Sequence, residues 1–521
     1  MGNQIKIILR FISSKNVFEL FLTSFLIIFL ELSLIRFIPA YVRYLGYFTN
    51  VILLGAFLGI GIGCLLTKTR FDLLPWFSPL LLIVIFVVKV FRFEVGITTN
   101  QVVYFTSNSG DSRIESFLLL PGVFILITLL FVTLAQTLGK LLTRFPPLSA
   151  YTVDIVGSIA GVAAFGLVSY FTLPPFVWFV VIGIGYLVLL FRFSGKGRTA
   201  AIFLIFIFFL IPTLDDLPTR WSPYQKVSLY SVSNPHRQVG QPDNHWRIYV
   251  NGISHQDMTE YSQIAPFYKL VYSAFPTQKI SNALIVGAGS GQDVAVALRN
   301  NVSQIDAVEI DPVIADLGLQ YHPEQPYKDP RVRLHINDAR SYLENSPLLY
   351  DLVIFALPDS TVLTTSLTSL RLESYLFTTE AFRQVKKHLK SDGIFVLYNY
   401  YRTPWLIDKI AQMLALEFHE FPYVTKYEDN LAVFAISNNA KIIPAHTFTR
   451  WQPREDYKPA TDDWPFLYLT GPTLPRVYIK SLAILGLIAA ALVLMVTKGK
   501  VTKYFSGDFF FLGAAFLLIE T

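Results

Sequence analysis

Long apolar runs dominate the first 214 residues of the chain. Seven runs approach or reach the roughly 17 to 25 residues that a helix needs to cross about 30 Å of hydrocarbon. They cover residues 17–35, 49–67, 75–91, 116–138, 150–170, 176–191 and 199–214. The pattern predicts a polytopic α-helical membrane bundle over residues 1–214. Gly55, Gly59 and Gly63 recur at every fourth position, as do Gly157 and Gly161, which predicts close packing between helix backbones.

The pattern changes at residue 215 and changes back near residue 476. Between them, short apolar strands alternate with amphipathic segments, which is typical of a folded aqueous α/β domain. A further apolar run begins near Val477, and another begins at Phe509 and continues to the end of the chain. Because a bundle that ended inside a helix would leave backbone groups unsatisfied in lipid, we expect residues 476–521 to begin a C-terminal transmembrane region of a longer protein.

Composition indicates a membrane protein and restricts the classes of partner that we expect for it. Apolar residues make up 53% of the chain and charged residues 15%, whereas about a quarter of residues are charged in soluble domains. Much of the Lys and Arg behind the net charge of +6 lies in short loops between apolar runs, which indicates membrane topology, so we expect a lipid bilayer and no nucleic acid as partner. The single cysteine, Cys64, excludes an intrachain disulfide, and the eight histidines show no metal-ligand spacing.

A glycine-rich loop marks a candidate ligand site in the middle domain. Gly287, Gly289 and Gly291 follow an apolar strand and precede a predicted helix, with Ser290 and Asp293 beside them. Glycines in this position let backbone amides approach a ligand without obstruction by a Cβ atom. The third glycine comes one residue too early for the dinucleotide pattern, which disfavours NAD.

Carboxylates follow the next three predicted strands. Glu309 ends the second strand, 18 residues after Gly291, where an acid accepts hydrogen bonds from ribose hydroxyls. Asp338 follows the third strand, in reach of an adenine amino group, and Asp359 follows the fourth. The glycine loop and these carboxylates predict a nucleoside pocket at the strand ends. The alternative is a sheet of the same fold that binds no ligand.

Together these stretches resemble the spermidine synthases and their membrane-fused relatives among S-adenosylmethionine-type transferases, over about residues 221–400. The matching pieces are Ser222 to Gln225, Val250 to Gly252, Tyr268 to Pro276, Gly287 to Gly291, Val308 to Pro312, Asp329 to Val332, Asn337 to Ala339, and Tyr350 with Asp351. The stretches from Ser374 to Glu380 and from Thr461 to Phe466 resemble the membrane-fused branch. The resemblance implies an α/β Rossmann-type, class I methyltransferase-like domain with a β-rich N-terminal leader over residues 215–475.

The resemblance also implies a ligand and a set of site residues. The ligand is S-adenosylmethionine or its decarboxylated form, and the acceptor is a small molecule, a lipid or an exported peptide. The implied cofactor-binding residues are Gly287, Gly289, Ser290, Gly291, Asp293, Glu309 and Asp338. The implied substrate-binding residues are Tyr224, Gln225, His255, Gln256 and Tyr268, and the implied catalytic residue is Asp359.

The chain departs from the family pattern at two acidic positions. Ser290 stands where the family has an acid in the glycine loop, and Ala356 stands where it has the residue regarded as the general base. Losing a positioned base costs about 10²- to 10⁴-fold in rate. One interpretation is that Asp293 and Asp359 take over these roles. The other is that Ser290 tolerates the carboxylate of S-adenosylmethionine itself, which favours methyl transfer somewhat over aminopropyl transfer.

The charge distribution does not decide on which side of the membrane the middle domain lies. With the N-terminus inside a plasma (inner) membrane, inner loops hold ten Lys and Arg residues and outer loops four, which places the middle domain outside. S-adenosylmethionine is a cytosolic compound, however, and the short run 199–214 crosses the membrane only marginally. Two other functions therefore stay open: an outward-facing enzyme without cofactor that acts on an exported substrate, and a transporter or scaffold with a nucleoside-sensing domain.

Overall fold

The described residues form two compact units, which we call the helical unit (within 1–96, 106–216 and 476–521) and the α/β unit (217–475). The computed structural model describes residues 15–46, 48, 50–90, 113–193, 197–215, 217–232, 245–357, 372–401, 404–426, 431–445, 447–474, 476–501, 505–508, 510–511, 513 and 515.

Each apolar run predicted in the first 214 residues forms a helix in the helical unit. The helices are α1 Lys15–Tyr41, α2 Arg43–Gly46, α3 Asn50–Leu65, α4 Phe77–Val90, α5 Arg113–Leu142, α6 Pro147–Tyr170, α7 Pro175–Phe193 and α8 Gly197–Leu210. A helix at Arg476–Thr497 belongs to the same unit. By length and composition, five described stretches are candidate membrane spans: Asn16–Tyr41, Asn50–Lys68, Leu119–Leu142, Pro147–Tyr170 and Tyr478–Thr497.

Glycines bring the helices of this unit into backbone contact. A Cβ atom added to Gly59 would lie 2.5 Å from the carbonyl oxygen of Thr128 on α5. One added to Gly157 would lie 2.5 Å from the carbonyl oxygen of Phe21 on α1. Both distances are shorter than any van der Waals contact, so only glycine permits these approaches, and the predicted close packing is confirmed at these positions.

The α/β unit begins with a four-stranded antiparallel sheet that forms the β-rich leader. Its strands are β1 Thr219–Trp221, β2 Lys226–Ser231, β3 Trp246–Val250 and β4 Ile253–Met258, paired in sequence order. Buried apolar side chains from three of these strands pack against helix Pro312–Tyr321 of the following domain. The leader is therefore joined to the larger sheet through an apolar core.

The larger sheet has the alternating strand and helix order of a Rossmann-type fold. Its elements are α9 Pro266–Ser273, β5 Asn282–Val286, α10 Gln292–Arg299, β6 Gln304–Glu309, α11 Pro312–Tyr321, β7 Val332–Ile336, α12 Ala339–Asn345, β8 Tyr350–Ala356, α13 Thr379–Lys387, β9 Leu389–Tyr400, α14 Pro404–Phe418, β10 Tyr423–Lys426, β11 Leu431–Ser437 and β12 Thr449–Arg450. The strand order is β12-β10-β11-β9-β8-β5-β6-β7, parallel from β9 to β7 and antiparallel from β9 to β12. The predicted Rossmann-type sheet is confirmed.

The strand order reverses at β5, which places a crevice there. From β5 the chain proceeds outward through β6 and β7, and it then returns to the opposite side of β5 as β8. In open α/β sheets, ligands bind outside the carboxyl ends of the strands at such a reversal. The glycine loop follows β5 at this point.

Candidate functional site

A cavity opens at the carboxyl ends of β5, β6, β7 and β8. The cavity and its open mouth together enclose about 850 Å³. The described lining residues are Gln225, His255, Gln256, Tyr268, Val286, Gly287, Ala288, Gly289, Gln292, Asp293, Val308, Glu309, Ile310, Ile314, Asn337, Asp338, Ala339, Ala356, Leu357 and Leu376. Nine of the thirteen predicted site residues lie in this lining.

The glycine loop forms one wall of the cavity. Gly287, Gly289 and Gly291 all have left-handed backbone conformations, with φ between 57° and 101°. Gly289 has a second constraint, because an added Cβ atom would lie 2.4 Å from Oε1 of Gln256. Gly287 and Gly289 line the cavity, whereas Gly291 occupies the N-cap of α10 and does not.

Ser290 points away from the cavity and fixes a glutamine that faces it. The Ser290 side chain is fully buried, and its N–H and hydroxyl both donate to Gln256 Oε1 at 2.9 Å. Ser290 is therefore outside the cavity lining. The amide nitrogen of Gln256 is buried and has no hydrogen-bond partner within the described part of the chain. A buried donor without a partner carries a desolvation cost, which an acceptor atom on a bound ligand would remove.

Glu309 is held in place by the loop it faces. Its Oε2 accepts from the N–H of Gly289 and its Oε1 from the N–H of Asp311, both at 2.8 Å. Each carboxylate oxygen has two acceptor sites, so both retain capacity toward a ligand. Burial raises the pKa of Glu309 to about 7, and the bonds from Asp311 and Gly289 oppose this shift.

Asp338 has a similar double role at the end of β7. Its Oδ1 accepts from the N–H of Ser341 at 2.9 Å and so caps the N-terminus of α12. The side chain is half-buried and lines the cavity beside Asn337 and Ala339. The cap therefore fixes the position of the carboxyl group of this lining residue.

Asp293 lies in a cage of three tyrosines. The hydroxyl of Tyr398 donates a short hydrogen bond to Asp293 Oδ1, and the Tyr268 ring packs edge-on against Tyr398 at 5.9 Å. The Tyr272 hydroxyl is buried and has no hydrogen-bond partner within the described residues. Burial raises the pKa of Asp293 to about 7, opposed by the Tyr398 bond. Asp293 is 6% exposed and lies in the cavity lining.

Four of the five predicted substrate-binding residues lie in the cavity lining, three from the leader and Tyr268 from α9. Gln225, His255, Gln256 and Tyr268 line the cavity, and the Gln225 amide also donates to Asp311 Oδ2 at 3.0 Å. Burial lowers the pKa of His255 to about 4, so this ring is neutral at neutral pH. Tyr224 is 43% exposed and is absent from the lining.

The β8 side of the cavity is apolar where it is described. Ala356, Leu357 and Leu376 line it, and Leu357 has a left-handed backbone with φ of 49°. Such a conformation is uncommon for a side chain of this size and is found at functional turns. Asp359, the predicted catalytic residue, lies outside the described residues.

Sequence reasoning missed several polar groups around the site. Tyr398 reaches Asp293 from β9, 105 residues along the chain, and no local pattern relates the two. Gln292 lines the cavity and is held through His322 Nε2 at 3.0 Å and the Thr259 hydroxyl at 3.2 Å. A buried tyrosine in a strand looks like a core residue in a sequence, so only the three-dimensional contact reveals its role.

The chemistry of the lining fits a cationic adenosyl compound. Its described residues include three carboxylates, Asp293, Glu309 and Asp338, and neither Lys nor Arg. Glu309 and Asp338 accept hydrogen bonds, as ribose hydroxyls and an adenine amino group require. The unpaired amide of Gln256 adds a buried donor.

Comparison with known proteins shows what the α/β unit is similar to. Residues 269–438 match the spermine/spermidine synthase domain family. The polyamine aminopropyltransferase of Alkaliphilus oremlandii is 35% identical over 130 residues, which are 24% of this chain and 42% of that protein. The polyamine aminopropyltransferase of Lachnospira eligens is 27% identical over 248 residues, which are 46% of this chain and 78% of that protein.

The similar solved structures include a spermidine synthase. The crystal structure of a spermidine synthase in complex with the transition-state analogue AdoDATO is 16% identical to this chain, with a TM-score of 0.34. The match covers 51% of this chain and 87% of that one. From its matched domain family and its curated relatives, the chain is a spermidine synthase-like protein.

Proposed function

We propose that the α/β unit transfers the aminopropyl group of decarboxylated S-adenosylmethionine to an amine acceptor. The observation that carries this proposal is the charge of the cavity, whose described lining has three carboxylates and no Lys or Arg. Decarboxylated S-adenosylmethionine carries a sulfonium and an ammonium group and no carboxylate, so its charges complement this lining. The names of the matched curated relatives, polyamine aminopropyltransferases, favour the same reaction.

This proposal reverses the preference for methyl transfer that Ser290 suggested in the sequence. Ser290 does not face the cavity, whereas Asp293, in the first turn of α10, does. Two unit charges about 4 Å apart interact by about 4 kcal/mol near a protein surface. The carboxylate of S-adenosylmethionine would meet this repulsion at Asp293, whereas an ammonium group would be attracted there.

In this proposal each polar group of the lining has one task. Asp293 and the tyrosines around it hold the ammonium group, since aromatic faces and a carboxylate both attract cations. Glu309 accepts from the ribose hydroxyls, Asp338 accepts from the adenine amino group, and Gln256 donates from its amide nitrogen. Together they orient the donor, and orientation supplies much of the rate of an in-line displacement.

The bound donor supplies a carbon activated by the sulfonium group. The acceptor nitrogen forms a bond to that carbon, the carbon–sulfur bond breaks, and methylthioadenosine leaves with the electron pair. The acceptor nitrogen loses one proton, and we propose Asp359 as the group that receives it. Ala356 has no group that accepts a proton, so this task falls to the segment after β8.

The helical unit, in this proposal, holds the enzyme in a lipid bilayer. Five candidate spans support it, as do large apolar side chains exposed on the helices, such as Ile159 at 62%, Phe209 at 75% and Leu487 at 72%. Exposed apolar surface of this extent marks contact with an apolar phase. A reporter fused after Leu214 tests the orientation: a cytoplasmic signal is expected for a cytosolic donor, and an extracytoplasmic signal would contradict that donor.

The reaction is tested with the purified full-length chain in detergent. The protein is incubated with decarboxylated S-adenosylmethionine and a panel of mono- and diamines, and methylthioadenosine and the alkylated amine are measured by mass spectrometry. We expect methylthioadenosine release that depends on one class of amine. Methylated products from S-adenosylmethionine, or no release with any amine, would overturn the proposal.

A further inference from the structure

Two stretches that resemble the membrane-fused branch contact each other in the α/β unit. The Thr378 hydroxyl donates to Asp462 Oδ1 at 2.7 Å, and the N–H of Asp462 donates to Glu380 Oε2 at 3.0 Å. The N–H of Thr379 donates to the carbonyl of Ala460 at 3.0 Å. Side chain and backbone bonds therefore join residues 374–380 to residues 460–466 across more than 80 positions of sequence.

An arginine from α12 connects both stretches to the cavity side of the sheet. Arg340 donates to both oxygens of Asp462, at 2.8 Å and 3.3 Å, and to the carbonyl of Tyr375 at 3.2 Å. It also donates to the Thr378 hydroxyl at 3.1 Å. The Arg340 side chain is only 14% exposed. A guanidinium group that pairs with two carboxylate oxygens has a defined orientation as well as a defined position.

The residues next to this ion pair line the cavity. Arg340 follows Asp338 and Ala339, which line it at the start of α12. Tyr375 precedes Leu376, which lines it from the turn Leu372–Phe377. Through Arg340 the pair therefore joins two walls of the cavity, the start of α12 and the turn Leu372–Phe377. Its contacts with these walls lie one or two residues away from the lining.

We propose that Arg340 and Asp462 are positioning residues that set the distance between Asp338 and Leu376 and so shape the nucleoside end of the cavity. The proposal rests on the proposed adenosyl ligand. Breaking the ion pair leaves the largely buried Arg340 charge uncompensated, and α12 and the turn Leu372–Phe377 would then lose their shared anchor. Asp338 moves with α12 because it caps that helix through Ser341.

The test uses Arg340→Lys and Asp462→Asn in the full chain, with two readouts. Calorimetry with methylthioadenosine is expected to show a Kd raised roughly ten- to hundredfold, the size of effect expected when the ligand loses one hydrogen bond to the Asp338 carboxylate. Hydrogen–deuterium exchange without ligand is expected to increase in residues 337–343 and 374–380. Asp462→Glu, which keeps the charge, is expected to recover part of the affinity.

A second ion pair in the same unit provides the matched control. Arg383 on α13 and Glu417 on α14 pair at 2.9 Å and lie outside the cavity lining. Arg383→Lys and Glu417→Gln are expected to leave the Kd unchanged. An unchanged Kd in both Arg340→Lys and Asp462→Asn would overturn the proposal, as would increased exchange confined to residues 460–466. A wild-type protein that binds no methylthioadenosine contradicts the proposed function instead, and the exchange experiment still decides whether the pair holds the two walls together.

Discussion

The two sides of the cavity differ in chemistry. On the side of β5, β6 and β7, Asp293, Glu309 and Asp338 present carboxylates, and backbone N–H groups, or for Asp293 the Tyr398 hydroxyl, hold each of them. On the β8 side, the described lining is Ala356, Leu357 and Leu376, all apolar. The polar side therefore carries the groups that we propose for the adenosyl donor, whereas the β8 side lacks the acid that the family resemblance leads one to expect at position 356.

The largest effect is expected on the polar side, from Glu309→Gln. The amide of Gln would place a donor against a backbone N–H that now donates to the carboxylate, and it would lose the charge-assisted bonds to ribose. Hydrogen bonds to charged groups contribute about 1.5 to 3 kcal/mol each, so we expect methylthioadenosine and decarboxylated S-adenosylmethionine both to bind about 100-fold more weakly by calorimetry. Glu324→Gln, which removes an acid paired with Arg299 outside the lining, is the control.

Asp293→Asn is expected to change the Kd of decarboxylated S-adenosylmethionine much more than the Kd of methylthioadenosine. We expect decarboxylated S-adenosylmethionine to bind roughly 30-fold more weakly, because a partly buried charge pair contributes about 2 kcal/mol. Methylthioadenosine has no ammonium group, and its Kd is expected to stay within about twofold. An equal loss for both ligands would show that Asp293 supports the loop and does not contact the ammonium group.

Ala356→Asp tests the apolar side by restoring an acid at the end of β8. We expect kcat/KM for a diamine acceptor to rise about tenfold, a modest part of what a positioned base contributes. Ala356→Asn has nearly the same volume without the charge and is the control. If Asn and Asp change the rate equally, the missing acid at position 356 does not account for the difference between the two sides.

The smallest effect is expected from pH. The pKa of Asp293 is about 7 in the ligand-free protein, and only the ionised form attracts an ammonium group, so affinity for the donor is expected to fall as the pH drops below about 7, by at most about tenfold per unit for one proton. Tyr398→Phe removes a bond that lowers this pKa. The midpoint should therefore move to higher pH, with a few-fold weaker binding at neutral pH; a midpoint that does not move would contradict the assignment to Asp293.

The raised pKa values have the opposite consequence for the stability of the ligand-free protein, which is expected to decrease as the pH rises. Burial raises the pKa values of Asp293 and Glu309 from 3.8 and 4.5 to about 7. Between these values the folded state binds more protons than the unfolded state. The contribution of the two groups to the free energy of unfolding is therefore present at a pH below about 4 and is lost as the pH rises to about 7. We expect the melting temperature of the ligand-free chain to fall over this range, and less so in Asp293→Asn.

Much of the fold follows from local patterns. The apolar runs of residues 17–214 all became helices, because runs of that length with no strand punctuation permit little else. The strand, glycine loop and acid after β6 predicted a parallel Rossmann-type sheet, and it is present. The antiparallel strands β10 to β12 were not foreseen, since edge strands beyond the core carry no distinctive pattern.

The site was harder to predict because its contacts are distant in sequence. Position within a motif identified Gly289, Glu309 and Asp338, which lie at strand ends as the motif requires. It also suggested Ser290 as a ligand residue, but the turn at Gly289 directs that side chain to Gln256. The tyrosine cage and the Arg340 pair depend on side chains brought together by β9 and by residues 460–466, which no local spacing encodes.

Calorimetric titration of the wild-type chain with decarboxylated S-adenosylmethionine, and separately with S-adenosylmethionine, tests the central claim most directly. A cavity whose described charges are all carboxylates should bind the decarboxylated compound at least about tenfold more tightly, since even a small part of the repulsion at Asp293 corresponds to about 1.4 kcal/mol. Equal or tighter binding of S-adenosylmethionine would contradict the assignment of Asp293 to an ammonium group and with it the proposed aminopropyl transfer.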